Sequence, residues 1–387
     1  MLLHGIWILK LRIMKLVFVS NYFNHHQRPF CDEMFNILGD NFIFISTEKM
    51  SEERKKLGYS DKNTPAYVID ITGDEKKRDV AQSLINNADV VIAGSASSKL
   101  IRKRIAFGKI VLHYAERPFK IKPSFFRRMY HYVRFRFTDG LKKNVFMLCT
   151  GGFAALDYRN LGIYNDRMYK WGYFPAAIKY DVDELINNKT HNSILWCGRF
   201  IDWKHPDDAV RLAVRLKASG YDFHLTMVGS GYMEKELKEM AEANDVSDTV
   251  TFTGSMPPNM VRRKMEESSI FLQTSDRQEG WGAVLNEAMN SGCAVVASNE
   301  IGSASYLVRH KENALLYESG NIDSLTAQVE YLLRNSAEQR RIGAAAYNTI
   351  TELWNARIAA ERLMILIEKL QSCGACDVFP DGPCSRA

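Results

Sequence analysis

Apolar residues fall along this chain in short runs, separated by longer stretches in which they recur every third or fourth position. The runs at 15–20, 42–46, 66–71, 89–93, 110–114 and 145–149 read as buried strands. The amphipathic stretches at 27–38, 75–86 and 97–107 read as helices between them. After a polar segment at 179–192, which reads as a linker, the alternation resumes with a strand at 194–197, a helix at 207–218, a strand at 224–228, a helix at 233–244 and a strand at 249–253. It continues with a strand at 269–274, a short helix at 283–290 that Gly292 is placed to end, and a strand at 293–297. Strands apolar throughout, alternating with helices, predict doubly wound parallel sheets covered on both faces. Two such domains are expected, at 14–183 and 190–350, with one more long helix at 352–370; 387 residues suffice for two cores. Residues 1–13 and 371–387 are expected to be peripheral tails, and with a strand following Met14 the native start is expected there.

The chemistry concentrates between the runs at 269–274 and 293–297. There Gln278-Glu279-Gly280-Trp281-Gly282-Ala283 leads into a helix that carries Glu287 one turn inside it. In open parallel sheets, ligands sit at the carboxyl ends of the strands. Gly280 and Gly282 leave the loop backbone bare, so its amides can approach an anion closely. A carboxylate offers paired acceptor oxygens suited to two neighbouring hydroxyls. Glu279 and Glu287 thus offer sugar acceptors at two depths with an anion cradle between them, a site for a nucleotide sugar.

The segment E-G-W-G-A-V-L-N-E-A-M-N-S-G resembles the E-G-F-G-x-x-x-x-E-A-M-A-x-G signature of retaining GT-B glycosyltransferases of the group 1 (family 4) type, with Trp281 and Asn290 in place of the usual Phe and Ala. The resemblance implies a GT-B fold, two Rossmann-like domains facing across a cleft, with the last helix crossing back to the first domain. It implies that Glu287 binds the donor ribose, that Glu279 binds the donor hexose, and that the amides of Gly280, Trp281, Gly282 and Ala283 lie near the diphosphate. G-R-F-I-D-W-K at 198–204 resembles the family's G-R-[LF]-x-x-x-K-G, with His205 where glycine is usual. Arg199 and Lys204, five apart on a strand-end loop, can bracket a diphosphate, the one as a fork of donors and the other as a point charge. Gly229-Ser230-Gly231 matches the family's V-G-x-G, which lies along the nucleotide. The strand and loop at 252–259 resemble those beside which the base stacks. The dinucleotide fingerprint G-x-G-x-x-G is absent, and the first βα turn, at 21–26, has no glycine. In the first domain the N-H-H-Q and E-R-P pieces resemble those of bacterial surface-polysaccharide enzymes. They make His25, His26, His113, Glu116 and Arg117 candidates for the acceptor, although helix capping by the first pair and a core position for His113 fit the same pattern.

The implied enzyme transfers a hexose with retention from a nucleotide-diphosphate sugar to a glycan or lipid-linked glycan, as in capsule, exopolysaccharide or lipopolysaccharide synthesis. A nucleotide-sugar epimerase of the same fold and a non-catalytic sugar-nucleotide or nucleic-acid binder are the rivals. No cofactor or metal is expected: the one D-x-D, Asp181-Val182-Asp183, sits in the polar linker, and Arg199 with Lys204 supplies the positive charge. The tail holds Cys373, Cys376 and Cys384 without a nearby histidine, so a frayed end is expected rather than a zinc site. Scattered cysteines, three of them inside apolar runs, fit reduced thiols in a cytoplasmic protein.

Charge adds one more feature. The chain carries +6, but 99–143 holds fourteen Lys and Arg against Glu116 and Asp139, hence +12, leaving −6 elsewhere. Within it, 120–137 interleaves cations with aromatics. Such a stretch fits an anionic membrane surface, a single-stranded nucleic acid, or a basic helix packing its rings inward. Peripheral contact with the inner face of the plasma membrane is the expectation, with no nucleic acid.

Overall fold

The computed structural model describes residues 14–51 and 63–387, so the leader at 1–13 lies outside the described residues. The chain divides into two compact units, residues 1–175 with 356–387, and residues 176–355.

The first unit holds a seven-stranded parallel sheet: β1 (Leu16–Ser20), β2 (Phe42–Ser46), β3 (Val68–Asp70), β4 (Val90–Ala93), β5 (Val111–Ala115), β6 (Val145–Thr150) and β7 (Met168–Trp171), in the order β3-β2-β1-β4-β5-β6-β7. Every residue of β1, β4 and β6 is buried, which is why these strands read as unbroken apolar runs. The order reverses between β1 and β4, the switch point beside which the loop after β1 emerges. Arg104, fully buried, holds the base of this sheet by donating to the carbonyl oxygens of Ile85, Ala88, Asp89 and Ile110.

The second unit holds six parallel strands, β8 (Thr190–Cys197), β9 (His224–Val228), β10 (Val250–Gly254), β11 (Ser268–Gln273), β12 (Ala294–Ser298) and β13 (Leu315–Tyr317), in the order β10-β9-β8-β11-β12-β13. Its switch point lies between β8 and β11, which pair directly. The helix Pro206–Ala218 begins with proline at its first turn and buries Val210, Ala213 and Leu216 against Ile194, Trp196 and Leu225.

Three expectations are corrected. The segment 179–192 is not a loose linker. Asp181 caps a helix, Val182–Asn187, by accepting from the backbone N–H of Asp183 and Glu184, and β8 begins at Thr190. The ammonium of Lys189 donates to the carbonyl oxygens of Met265, Glu266, Ser268 and Ser291, pinning the entry of β8 inside the second unit. The unit boundary therefore falls at 175–176. The tail does not fray either. The last helix, Ala356–Cys373, packs on the helix Arg28–Leu38 of the first unit, and the chain then runs antiparallel beside β7. Lys170 N–H donates to the Ser385 carbonyl at 2.7 Å, Cys384 N–H to that of Lys170 at 2.9 Å and Ala387 N–H to that of Met168 at 3.2 Å. Cys384 is buried there, and the guanidinium of Arg386 lies 5.1 Å from the Tyr169 ring centre. The tail thus covers a sheet edge that would otherwise present unpaired backbone.

Deletion of residues 377–387 removes these three backbone bonds, each worth about 1 kcal/mol net. For a unit of this size the melting temperature is expected to fall by roughly 5–10 °C, measured by differential scanning calorimetry; an unchanged melt would show that the tail contributes nothing.

Candidate functional site

In the second unit the two loops that leave β8 and β11 flank the switch point, and they are tied together. The hydroxyl of Thr274, buried at the end of β11, donates toward the carbonyl oxygens of Lys204 (2.6 Å) and His205 (2.9 Å) and accepts from the indole N–H of Trp196 (2.8 Å). Asp276 N–H donates to the Trp203 carbonyl at 3.0 Å. His205 takes a left-handed conformation, φ 47° and ψ 53°, where the family pattern has glycine, and its ring lies 3.4 Å from the Asp276 carboxylate. The side chain thus holds a backbone shape that glycine would adopt without strain.

This brings the predicted charges together. The Lys204 ammonium donates to the Glu279 carboxylate, which also accepts from the Ser275 hydroxyl at 3.3 Å. The exposed guanidinium of Arg199 stands 5.5 Å above the Trp203 ring. Glu287 sits deeper, near the Cys197 thiol, and keeps about a quarter of its side-chain surface. Burial pushes its carboxyl above the usual carboxylate range, against the pull of the Arg262 guanidinium 3.9 Å away. Burial, with Glu287 beside it, pushes the Cys197 thiol up to about 12, so that cysteine stays protonated.

The glycines are explained by backbone meeting backbone. A Cβ on Gly229 would lie 1.8 Å from the Gly198 carbonyl oxygen, and one on Gly231 would lie 2.3 Å from that of Phe200. Gly282 has φ 82°, and a Cβ there would meet the Gln273 amide nitrogen at 2.4 Å. Gly302 presses on the carbonyl of Gly280 in the same way. Trp281 is expected at the donor through its backbone amide, and its side chain is engaged within the unit. Its ring is fully buried, donates to the Asn286 side chain at 2.9 Å and packs near Tyr306 and Trp354, so only its backbone remains for a ligand. Ala283 caps the seven-residue helix Val284–Asn290.

The first unit assembles a second cluster at its own switch point. Asn24 accepts from the backbone N–H of His26 and Gln27, opening the helix Arg28–Leu38 and setting the His25 and His26 rings 3.8 Å apart. Burial, then His25, pushes the His26 imidazole down to about 3, so it is neutral. It lies nearly parallel to the Tyr173 ring at 6.2 Å, and the Tyr173 hydroxyl donates to Glu116 at 2.7 Å. Glu116 also pairs with Lys120 at 2.6 Å. Two of the five acceptor candidates lie elsewhere. His113 points the other way from β5 and meets Asp139 at 2.5 Å. Burial alone would raise that carboxyl, but hydrogen bonds from His113 and Thr138 hold it below its ordinary range. Arg117 is buried in a two-pronged pair with Asp157, at 3.2 and 3.1 Å, over the Phe153 ring. His113 is committed within the unit because a strand sends alternate residues to opposite faces, and Arg117, beyond the end of β5, because Asp157 engages its guanidinium.

Sequence reasoning missed Thr274, Ser275, Asp276, Arg262 and Tyr173. Thr274 and Asp276 stand at the end of the strand run next to the recognised glutamate, which was a usable signal. Tyr173 and Arg262 come from distant elements and had none. Among the described residues no group of three or more His, Cys, Asp or Glu is placed to hold a metal ion, and Asp181 spends its carboxylate on a helix cap.

Residues 179–349 match the family model described as glycosyl transferases group 1. The chain is similar to an uncharacterized glycosyltransferase of Haemophilus influenzae, 35% identical over 150 residues, or 39% of this chain and 41% of that one. It is also similar to the amylovoran biosynthesis glycosyltransferase AmsK of Erwinia amylovora, 29% identical over 182 residues, or 46% and 44%. The matches thus span less than half the length of these two relatives. Among solved structures, Anabaena Alr3699/HepE in complex with UDP superposes with a TM-score of 0.67 over 93% of this chain and 100% of that one, at 14% identity. The two sheets and this likeness identify the fold as GT-B.

Gly231→Ala drives a methyl into the Phe200 carbonyl, where no flexible side chain can yield. The expected cost is about 1–3 kcal/mol, with displacement of the Arg199 loop. Thermal melting and calorimetric titration with nucleoside diphosphates check this: a variant as stable and as binding-competent as the parent would show that the two loops are not held in register by this contact.

Proposed function

We propose that this chain, whose residues 179–349 match the group 1 glycosyl transferase family model, is a retaining, metal-independent hexosyltransferase that uses a nucleotide-diphosphate sugar. The observation that carries this reading is the meeting of Lys204 with Glu279 at the β8–β11 switch point, with Arg199 on the same loop. A lysine shared with a carboxylate can turn to a diphosphate, and the freed carboxylate then accepts from hexose hydroxyls. Glu287, deeper in the unit, takes the ribose. The relative from Erwinia is named for amylovoran biosynthesis, and the Anabaena protein of the same fold holds UDP; both support a nucleotide-sugar donor and a surface-polysaccharide product. The acceptor is a glycan or lipid-linked glycan, met at the cytoplasmic face of the plasma membrane. The cluster of His25, His26, Tyr173 and Glu116 receives it.

In this mechanism the diphosphate leaves on the face that the acceptor hydroxyl attacks. Arg199, Lys204 and the amides around Gly280 and Gly282 stabilise the charge that develops on the leaving group, and a donor phosphate oxygen takes the acceptor proton. Charge-assisted hydrogen bonds contribute about 1.5–3 kcal/mol each, enough for two cations to set the rate.

Three outcomes are expected. Lys204→Ala and Arg199→Ala each lower kcat by at least ~100-fold with the melting temperature preserved; turnover at the parental rate in both would remove the proposed role. Transfer is expected to persist in excess chelator with retained anomeric configuration by NMR, whereas an isomerised donor in reactions without acceptor would identify an epimerase. Because Glu287 must be ionised to accept from two hydroxyls and burial raises its pKa, donor affinity is expected to hold at neutral pH. It should fall as the pH drops through a midpoint above the ordinary glutamate range, and Glu287→Gln should flatten the dependence. Calorimetric titration across pH measures this, and a parental profile as flat as the variant's would exclude Glu287 from the ribose.

A further inference from the structure

The helix Phe125–Thr138 carries two apolar stripes on opposite faces. One faces the first unit. Tyr132 and Phe135 pack against its core, and His131 stacks on Phe135 and meets the Phe119 ring edge-on. The other consists of Phe126, Met129, Tyr130, Val133 and Phe137, all exposed, Phe126 at 83% and Phe137 at 80%. At 100° per residue these five fall within an arc of about 100°, the width of a stripe that ordinarily faces a core. None of the helix's fourteen residues is buried. By the same geometry Arg127 and Arg134 border the outer stripe on one side and Arg136 on the other.

The charge around it is not cancelled locally. The two acids of the surrounding segment are already occupied, Glu116 by Lys120 and Tyr173, and Asp139 by His113. We infer that this outer face docks on a bilayer rich in anionic lipid, with the five apolar side chains at the boundary between headgroups and acyl chains and the arginines among the headgroup phosphates. Charge complementarity selects this occupant. A second copy meeting the face across a two-fold axis would set arginine borders against arginine borders. A single-stranded nucleic acid stacks on rings, and Val133, near the middle of the stripe, and Met129, at its edge, offer none. The inference draws on the proposed function only for the acceptor being lipid-linked; the helix face carries it otherwise.

The full chain is to be tested by flotation with vesicles of phosphatidylcholine alone and of phosphatidylcholine with phosphatidylglycerol. Binding is expected to the mixed vesicles and to weaken with added salt. Arg127→Gln with Arg134→Gln should lower partitioning by roughly 25-fold, about fivefold per cation removed, and Phe126→Ser with Phe137→Ser should abolish it. Neither pair touches the donor loops, so sugar transfer to a soluble acceptor should stay at the parental rate in both. A failure of vesicle binding with transfer intact would overturn the docking alone, and loss of transfer in the parent would strike the proposed function alone. Equal binding to both vesicle types, or parental flotation of the Phe pair, overturns the inference. So does concentration-dependent dimerisation that the Phe pair abolishes without any vesicle binding, or tight binding of a single-stranded oligonucleotide at physiological salt.

Discussion

A single buried hydroxyl organises the edge of the second unit at which β8 and β11 end. Thr274 closes β11, and its side chain is shared by the carbonyl oxygens of Lys204 and His205 and the indole of Trp196. Each such bond contributes about 1 kcal/mol net, and the buried hydroxyl itself would cost about 1–3 kcal/mol if left without partners. The loop after β8 is therefore held against the strand that precedes Glu279. The ion pair of Lys204 with Glu279, the backbone bond from Asp276 to Trp203 and the contact of His205 with Asp276 all follow from that closure. The strand order makes it available, since β8 and β11 are neighbours although seventy residues of chain separate Lys204 from Thr274.

The two loops after β8 and β9 are held by a different constraint, the absence of side chains. Gly229 and Gly231 lie directly on the carbonyl oxygens of Gly198 and Phe200, so the G-x-G motif is required by packing within the protein before any ligand arrives. Gly302 against Gly280 repeats the device on the other side of the switch point. Bare backbone in these turns lets the loops close on one another. Trp281 belongs to the same economy of space: its ring fills the interior beneath the loop with Tyr306 and Trp354, and Gly280 and Gly282 on either side of it are buried as well.

In the first unit the partition of side chains by strand pleat decides what is free to act. On β5, His113 turns toward Asp139 and Tyr164, while its neighbour Tyr114 turns toward Phe18 and Tyr173. The cluster of His26, Tyr173 and Glu116 therefore forms on one side of the sheet and the His113–Asp139 pair on the other. The helix Phe125–Thr138 shows the same partition on a helix, with Phe135 held inward and Phe126 and Phe137 left in solvent.

Much of the architecture was legible from the chain alone, because strands buried on both faces must be apolar throughout: β1, β4, β6, β11 and β12 announced themselves that way. The strands that escaped are β7 and β13, both at sheet edges, and Lys170 interrupts the apolar run of β7. The glutamates, the glycines and the Arg199–Lys204 pair were legible as well, since local spacing on strand-end loops places them on one edge. What only the tertiary structure decided was pairing across long separations: Thr274 with Lys204, Tyr173 with Glu116, Arg117 with Asp157, and the tail with β7. It also decided which side of a ring-rich helix meets the core. Sequence periodicity identifies a face but not what lies opposite it, and with apolar residues on both sides of 125–138 only packing could say which stripe turns to the core.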